Sequence, residues 1–334
     1  MTALRIGTRG SPLALWQARA VQTAITKAGE SSADIITIRT TGDRLTRAVL
    51  ADVGGKSVFV KEIEDALLDG KIDLAVHSAK DLPADIPDGL AIVAALPRAD
   101  PRDAIVLPRR GPEKPPEFSE VDADRQTAST ESAQDVMRRL TSHPRVGTGS
   151  VRRVAQLVRR FPDARFTQIR GNVGTRLEKL DDGAYDVLVL AAAGLERLGL
   201  AQRISARLSV EECVPSPGQG IVAIETRVDD ERTRSALAAV NDAPSIAALD
   251  AERAVLSALG GDCQVPIGAI AVHDGAHMVV RAIVTATDGA TLLKREARGP
   301  APEARAIGQQ VATALIAAGA AELIAAGRAD SGIS

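Results

Sequence analysis

Short apolar runs alternate with helical segments through the first hundred residues, and this alternation constrains the fold more than any other feature. The runs with strand character are Leu4–Gly7, Asp34–Arg39, Asp73–Val76 and Leu90–Ala95. Ser11 and Pro12 open a predicted helix that ends near Lys27, and Ser57–Leu68 is predicted to form another. Strands that alternate with helices predict a parallel sheet covered on both faces.

The same alternation starts again near Arg102 and predicts a second α/β unit. Its strands are predicted at Ala104–Leu107, around Val146, at Phe166–Ile169 and at Asp186–Ala191. Its helices are predicted at Val151–Arg160 and Val173–Leu180, and a further strand is predicted at Ile221–Glu225. Residues 111–144 are rich in Pro, Glu, Asp, Ser and Thr, which predicts a mobile insertion with a short helix at Gln134–Leu140.

The last part of the chain has a different plan. A predicted helix near Ile246–Leu259 leads into a glycine-rich loop, and helices from about Glu303 close the chain. Between them lie runs of strand character separated by Asp-Gly turns: Gly268–Val272, Met278–Thr285 and Thr291–Glu296. The whole pattern predicts an α/β protein with two lobes, each built on a parallel or mixed sheet, and a small C-terminal α+β domain.

Composition narrows the class of partner. The 334 residues are 25% charged and 45% hydrophobic, as in globular proteins, and a net charge of −2 gives no general attraction to nucleic acid or to a membrane. Aromatic residues at 2% argue against a base-stacking surface. The 2 cysteines form no disulfide framework, and MTALRIGTRGSP lacks an apolar stretch of signal-peptide length, so a cytoplasmic protein is expected. The alanine-rich stretch Val311–Gly327 is predicted to be an amphipathic helix rather than a membrane span.

Three predicted strand-to-helix junctions combine glycine, hydroxyl or amide side chains and arginine: residues 7–12 (GTRGSP), 147–153 (GTGSVRR) and 170–176 (RGNVGTR). Helix N-termini favour anions, and arginine pairs with carboxylates through two hydrogen bonds. Such junctions lie at the carboxyl ends of parallel strands, where α/β sheets bind ligands. Helix capping explains any one of them equally well. Together they predict a small ligand with several carboxylates or phosphates, bound by Arg9, Arg152, Arg153, Arg170 and Arg176.

One cysteine, Cys263, lies in the turn-forming segment GGDCQVP at 260–266. A core cysteine normally has apolar sequence neighbours, whereas this one follows Asp262 in a glycine-rich turn. An accessible thiol of this kind is able to form a covalent bond. The alternative is a half-buried turn cysteine that has no function.

The segment HSAKDLP at 77–83 places Lys80 and Asp81 after a predicted strand. An aspartate in an arginine-rich cleft stays ionised, and it is able to stabilise a cationic intermediate or to transfer a proton. The alternative is a solvated surface pair. His77 is interpreted as a structural histidine, and because the 4 histidines do not converge, no metal site is expected.

Segments along nearly the whole chain resemble the porphobilinogen deaminase family, also called hydroxymethylbilane synthase. They are IGTRGSPLALWQA (6–18), VGGKSVFVKEIEDAL (53–67), DLAVHSAKDLP (73–83), VGTGSVRRVAQL (146–157), IRGNVGTRLEKLDDGAYDVLVLAAAGLERLGL (169–200), PGQG (217–220) and GGDCQVPIGA (260–269). The resemblance implies two lobes like those of periplasmic binding proteins, with the active site between them, and a third domain that carries the cofactor. The implied domains are 1–101 with 219–240, 102–218 and 241–334.

The resemblance also implies the reaction. Members of the family condense four porphobilinogen molecules head to tail, release ammonia each time, and hydrolyse off the linear tetrapyrrole hydroxymethylbilane. The product is built on a covalent dipyrromethane cofactor, one per protein chain, that a loop cysteine holds by a thioether. Every pyrrole ring brings two carboxylates, which accounts for the arginines. These properties imply a transferase of tetrapyrrole, porphyrin and haem biosynthesis that is a cytoplasmic monomer.

Individual residues take their roles by match to the family motifs. Asp81 is expected to be the catalytic carboxylate, which stabilises the cationic azafulvene left when ammonia departs, and Cys263 is expected to hold the cofactor. Further cofactor contacts are expected from Lys80, Asp81, Ser150, Arg152 and Arg153. Substrate contacts are expected from Arg9, Ser11, Gln17, Lys56, Thr148, Arg170, Gly171, Asn172 and Arg176.

The chain departs from the family pattern in a few places. The insertion at about 111–144 is longer than expected, Gly149 stands where a hydroxyl residue is common, and Asp52 stands where a basic residue is expected in a lid loop around Lys56. Two other functions stay open. A two-lobed binding protein for a dicarboxylate leaves Cys263 unexplained. A family member that binds tetrapyrroles without catalysis differs from an active enzyme in whether Cys263 carries the cofactor.

Overall fold

The computed structural model describes residues 3–29, 32–40, 57–109, 131–140, 142–260 and 266–330. The strands are β1 (Leu4–Thr8), β2 (Ala33–Thr37), β3 (Leu74–Ser78), β4 (Leu90–Ala95), β5 (Asp103–Val106), β6 (Arg145–Thr148), β7 (Arg165–Gln168), β8 (Val187–Ala191), β9 (Ala206–Arg207), β10 (Val222–Arg227), β11 (Ile267–Asp274), β12 (His277–Thr285) and β13 (Leu292–Pro300). The α-helices are α1 (Pro12–Lys27), α2 (Ser57–Leu68), α3 (Ala133–Arg138), α4 (Val151–Leu157), α5 (Val173–Asp181), α6 (Ala192–Arg197), α7 (Glu231–Ala238), α8 (Ala243–Ala258), α9 (Ala304–Ile316) and α10 (Ala320–Asp330). Short 3-10 helices lie at Ala79–Asp81, Ala201–Arg203 and Ala301–Glu303.

The first lobe contains a five-stranded sheet with the order β2-β1-β3-β10-β4. β1 pairs in parallel with β2 and β3, whereas β10 runs antiparallel to β3 and β4. β10 begins at Val222, opposite Ser78 at the end of β3, because the chain re-enters this sheet from the second lobe at that edge. The sheet is therefore mixed, as the predicted fold class allows, although the local alternation of strands and helices by itself predicts a parallel one.

The second lobe repeats this plan in the order β7-β6-β8-β5-β9. β6 pairs in parallel with β7 and β8, and the crossing strand β5 runs antiparallel to β8 and β9. β5 begins at Asp103, opposite Ala191 at the end of β8. In both lobes the crossing strand thus starts beside the carboxyl end of a parallel strand, which is the edge where α/β sheets bind ligands.

The C-terminal part forms an antiparallel sheet, β11-β12-β13, that packs against helices. Its core consists of residues from α8, α9, α10 and the sheet, including the fully buried Val255, Val280 and Leu315. Two mixed α/β lobes followed by a small α+β unit confirm the predicted fold class.

Element boundaries differ from the prediction mainly where sequence signals are weak. Helix α4 ends at Leu157 rather than at Arg160, and residues 158–160 form a turn. Helix α6 was not predicted, because it begins directly after β8 with Ala191 as a cap that makes no side-chain hydrogen bond. In α2, Ile63 and Leu67 are buried as its periodicity predicts.

Among the described residues, no single helix is long and apolar enough to cross a membrane. The helices Ala301–Ile316 and Ala320–Arg328 reach the length and composition of a membrane span only when they are taken together, and they are bent by 76° relative to each other.

Candidate active site

The three arginine-bearing junctions all lie at carboxyl ends of parallel strands, as the sequence predicts. Residues 9–11 link β1 to α1, residues 149–150 link β6 to α4, and residues 169–172 link β7 to α5. The turn Ala79–Asp81 follows β3, which is parallel to β1. The strand ends of both lobes therefore present their polar residues toward the segments where the chain crosses between the lobes.

In the first lobe, the junction is held by local hydrogen bonds. The Ser11 hydroxyl accepts a 3.3 Å hydrogen bond from the backbone N–H of Ala14 and so caps α1. Gln17 is buried, and its Nε2 donates to Ser78 Oγ at 2.7 Å. This bond links α1 to the end of β3, and no local sequence pattern indicates Ser78 as the partner of Gln17.

The turn that carries Lys80 and Asp81 is rigidly placed. The Ala79 N–H donates to the Ile221 carbonyl at 3.0 Å, and the neighbouring Leu82 side chain is 1% exposed. Gly218 has a φ of +75°, and a Cβ atom there would lie 2.9 Å from the Ala79 carbonyl carbon and 3.0 Å from the Lys80 nitrogen. Only glycine therefore fits against this turn.

The charges of the two lobes act on each other at this turn. Burial lowers the pKa of Lys80 to about 8, an effect that the attraction of Asp81 opposes and the repulsion of Arg153 strengthens. Burial also lowers the pKa of Arg176, with Arg153 adding to the shift and Asp81 opposing it. Residues from both lobes thus form one charged cluster, Lys80, Asp81, Arg153 and Arg176, which we call the charge cluster.

Arg152 and Arg153 share a buried counter-ion, Asp103, that no sequence motif predicts. Asp103 is fully buried, and it accepts from Arg152 Nη2 at 2.7 Å and from Arg153 Nη2 at 2.8 Å and Nε at 3.0 Å. Burial by itself would raise the pKa of Asp103, but Arg152 and Arg153 outweigh it and hold that pKa well below its ordinary value. Both arginines are therefore fixed in place before any ligand binds.

Asp103 also connects the two crossing segments. Gln219 Nε2 donates to Asp103 Oδ1 at 2.8 Å and to the Pro101 carbonyl at 2.7 Å. The sequence DPRDAIV (100–106) shows that Asp103 is a charged residue at the start of an apolar strand, which is unusual. Nothing in the sequence indicates which residues it contacts.

Three buried polar atoms beside this network have no hydrogen-bond partner among the described residues: Arg152 Nε, Thr148 Oγ1 and Gln219 Oε1. Such atoms are costly unless another group satisfies them. They provide a cationic N–H, a hydroxyl and an amide oxygen, which suit a ligand that carries both carboxylates and N–H groups.

The junction after β7 is built around Asn172 and Gly171. Asn172 Oδ1 accepts from the Thr175 backbone N–H at 2.9 Å and so caps α5. Arg176 Nε donates to the Gly171 carbonyl at 2.7 Å, and Lys179 Nζ donates to the Arg170 carbonyl at 3.0 Å. These bonds fix the loop from which the half-buried Arg170 side chain projects.

The departure at Gly149 has a structural basis. A Cβ atom at this position would lie 2.9 Å from the Ile169 carbonyl oxygen. That distance is too short for any side chain unless the neighbouring β7 segment moves. Ser150, which follows, makes no side-chain cap hydrogen bond to α4.

Several predicted residues lie outside the described parts of the chain: Cys263, Lys56, Asp52 and residues 111–130 and 141 of the insertion. The other cysteine, Cys213, is fully buried, and burial raises the pKa of its thiol to about 12. A thiol with so high a pKa is a poor nucleophile.

A buried cluster of acidic residues and one histidine lies at β3 and β10 of the first lobe. His77 Nε2 lies 3.0 Å from Glu225 Oε2, and both side chains are at most 5% exposed. Burial raises the pKa of the nearby Glu64 to about 7, and the repulsion of Glu225 adds to this shift while His77 opposes it. The position of His77 in this cluster fits the structural role interpreted from the sequence.

This cluster predicts a pH dependence of stability. Because the pKa of Glu64 is higher in the folded than in the unfolded state, its contribution is complete below about pH 4.5 and is lost as the pH rises toward about 7. Glu64→Gln is therefore expected to raise the free energy of unfolding at pH 8 by up to about 3 kcal/mol and to change it little at pH 4.5. Denaturant titrations at both pH values measure this, with the exposed Glu178→Gln as control. An equal effect at both pH values would contradict the prediction.

Solved structures with a related outline include the periplasmic VFT2 domain of Bordetella pertussis BvgS and the aliphatic sulphonate binding protein SsuA of Escherichia coli. The first has 15% identity and a TM-score of 0.35, covering 71% of this chain and 86% of that one. The second has 13% identity and a TM-score of 0.35, covering 76% and 70%. With TM-scores this low, neither carries an argument here.

The sequence relatives are much nearer. Proteins named porphobilinogen deaminase from two strains of Acidithiobacillus ferrooxidans are each 46% identical over 323 residues, covering 96% of this chain and 97% of theirs. Residues 4–235 match the family model "Porphobilinogen deaminase, dipyromethane cofactor binding domain", and residues 246–317 match the model of the C-terminal domain. Since these matches span both lobes and the third unit, the chain belongs to the porphobilinogen deaminase family.

Proposed function

We propose that this chain, as hydroxymethylbilane synthase, condenses four porphobilinogen molecules in sequence at the charge cluster and then releases hydroxymethylbilane by hydrolysis. The observation that carries the proposal is the convergence of Lys80, Asp81, Arg153 and Arg176 from two lobes. Beside them lie buried polar atoms that have no hydrogen-bond partner in the described part of the chain. This arrangement suits a ligand that is at once a polyanion and a donor of pyrrole N–H groups.

The family's dipyrromethane cofactor fits these atoms by its chemistry. Its carboxylates are acceptors for Arg152 Nε and the Thr148 hydroxyl, and its pyrrole N–H groups are donors for Gln219 Oε1. We assign its binding to Lys80, Asp81, Ser150, Arg152 and Arg153, and its thioether to Cys263. When bound, the cofactor supplies the pyrrole carbon to which the first substrate is joined.

Asp81 is the proposed catalytic carboxylate. Loss of ammonia from the aminomethyl group of porphobilinogen leaves a positive charge that is spread over the pyrrole ring. An ionised Asp81 that accepts from the pyrrole N–H stabilises this charge as it develops. Lys80 and Arg176 lie close enough to Asp81 for its charge to act on the pKa of both side chains.

The remaining residues bind the acetate and propionate groups. We assign this role to residues at the strand ends and the junctions that follow them, to one side chain each in α1 and α5, and to Lys56, with Gly171 acting through its backbone. The full set is Arg9, Ser11, Gln17, Lys56, Thr148, Arg170, Gly171, Asn172 and Arg176. A charge-assisted hydrogen bond contributes roughly 1.5–3 kcal/mol, so a few of them hold each ring. Because Ser11 and Asn172 already cap helices through one oxygen, their contribution to binding would come from the remaining hydroxyl or amide protons.

The arrangement of the chain supports the same proposal. We assign residues 1–101 with 219–240 to the first lobe, 102–218 to the second, and 241–334 to the third domain. The crossing segments at Pro101–Asp103 and 217–220 then connect the lobes beside the site. We further propose that the protein works as a cytoplasmic monomer on a small-molecule substrate, without nucleic acid or membrane.

The intact mass of the purified protein tests the function. The wild type is expected to exceed its sequence mass by two condensed porphobilinogen units, and Cys263→Ser is expected to show no excess and no turnover. Cys213→Ser is the matched control, because its buried thiol should leave the excess mass unchanged. The proposal fails if the wild type shows no excess mass when purified and still none after incubation with porphobilinogen, since the chain would then be a family member without catalysis.

A further inference from the structure

Helix α8 packs against the turn that carries Asp81. Leu249 of α8 is fully buried in one apolar cluster with Ala79 and Leu82, which are 4% and 1% exposed. One helical turn further on, at the position that shares this face, lies Arg253. The helix therefore meets residues 79–84, which we call the Asp81 turn, through an apolar contact and a cationic side chain in succession.

Arg253 makes the polar half of this contact. Its Nη1 donates to the Pro83 carbonyl at 2.9 Å, and its Nη2 donates to the Ala84 carbonyl at 2.8 Å. Ala84 itself packs against the core of the third domain. Both hydrogen bonds end on backbone atoms just after Asp81, so the guanidinium fixes the path of the main chain as it leaves the turn.

The same helix also supports the opposite side of the Asp81 turn, indirectly, through Gly218. Glu252 of α8 is fully buried, and its Oε2 accepts from the Gly218 N–H at 2.6 Å. Gly218 in turn lies against the backbone of Ala79 and Lys80. The turn therefore lies between two contacts: Gly218, which is hydrogen-bonded to Glu252, and Arg253.

We propose that Arg253 is a positioning residue for the reaction, which sets the placement of the Asp81 carboxylate from the third domain through the backbone of residues 83 and 84. The inference rests on the proposed catalytic role of Asp81. It assigns to the third domain a second task besides carrying the cofactor cysteine. Since catalysis depends on geometry to within about 1 Å, a released turn should slow the chemical step more than it weakens substrate binding.

Arg159 offers a matched control. Its Nη1 also joins a lobe to the third domain through two carbonyls, those of Gly289 at 2.7 Å and Ala290 at 2.9 Å. These bonds attach the second lobe to a hairpin turn, and none of them involves residues 79–84. Loss of either arginine removes two hydrogen bonds across a domain contact, but only Arg253 touches the Asp81 turn.

The test compares Arg253→Met, Arg253→Lys and Arg159→Met by Tm, cofactor mass, kcat and KM with porphobilinogen. Both Met variants are expected to lose a similar amount of Tm and to keep the cofactor. Arg253→Met is expected to lose about tenfold or more in kcat with KM within about twofold, whereas Arg159→Met keeps its kcat. Arg253→Lys, which retains a cationic donor, is expected to recover part of the loss.

The proposal is overturned if Arg253→Met and Arg159→Met have the same kcat, or if Arg253→Met raises KM alone. Should Arg253→Met prove insoluble, Arg253→Lys decides in its place, because a wild-type kcat in that variant together with a lowered Tm would show a role in stability only. Asp81→Asn is measured in parallel. Its retention of turnover would refute the proposed function of Asp81, whereas unchanged Arg253 variants refute only the present inference.

Discussion

Replacing Asp81 with asparagine is expected to lower turnover by about 1,000-fold or more while the Tm and the far-UV circular dichroism spectrum stay unchanged. The amide keeps the size of the carboxylate but loses the charge that would oppose the developing cation, and removal of such electrostatic or proton-transfer help costs factors of this size. The effect should appear in kcat, measured as ammonia release from porphobilinogen under single-turnover conditions.

The exposed Asp88 is a suitable control, because it lies in the same connection between β3 and β4 but outside the turn that follows β3. Asp88→Asn is expected to keep wild-type turnover. Near-normal turnover of Asp81→Asn would show that the carboxylate does not act on the reaction, and the catalytic group would then have to be sought elsewhere in the charge cluster.

Replacing Asp103 with asparagine is expected to have the second large effect. The change leaves two buried guanidinium groups, Arg152 and Arg153, which are 4% and 5% exposed, without a counter-ion. Breaking a buried pair in this way costs about 3–5 kcal/mol. We therefore expect a lower free energy of unfolding in denaturant titrations and a loss of cofactor mass, since the arginines proposed to bind the cofactor carboxylates lose their fixed orientation.

Asp186→Asn is the matched control for Asp103. Asp186 accepts two hydrogen bonds from the guanidinium of Arg145 and one from its backbone N–H, but the side chains of this pair are 29% and 48% exposed. A partly exposed pair contributes about 0–1 kcal/mol, so stability and cofactor mass should change little. Equal losses in the two variants would mean that Asp103 acts as an ordinary ion pair, and normal cofactor mass in Asp103→Asn would remove it from the binding site.

The positions of Lys80 and Asp81 at a strand end could be predicted from the sequence, because the apolar run of β3 and the polar residues after it are adjacent in the chain. The same holds for the helix starts at Ser11 and Asn172, where a short polar side chain caps the next turn of backbone. Local patterns of this kind also identified the arginine junctions and the order of the lobes.

Asp103 and Gln219 could not be assigned in this way. They lie 116 residues apart in the chain and meet only because both crossing segments pass between the lobes. The antiparallel course of β10 has the same origin, since it depends on where the chain returns and not on its own residues. Sequence patterns predict the local structure of residues that are adjacent in the chain, whereas these features depend on how distant segments are brought together by the topology.

The insertion of β10 between β3 and β4 has a consequence for synthesis on the ribosome. Every strand of the second sheet lies between Asp103 and Arg207, whereas β4 in the first sheet pairs only with β10, which ends at Arg227. The lobe that is begun second is therefore the first to have all its strands available. The sheet of the N-terminal lobe cannot be completed until the whole second lobe has been synthesised, and until then the edge of β3 that pairs with β10 is uncovered.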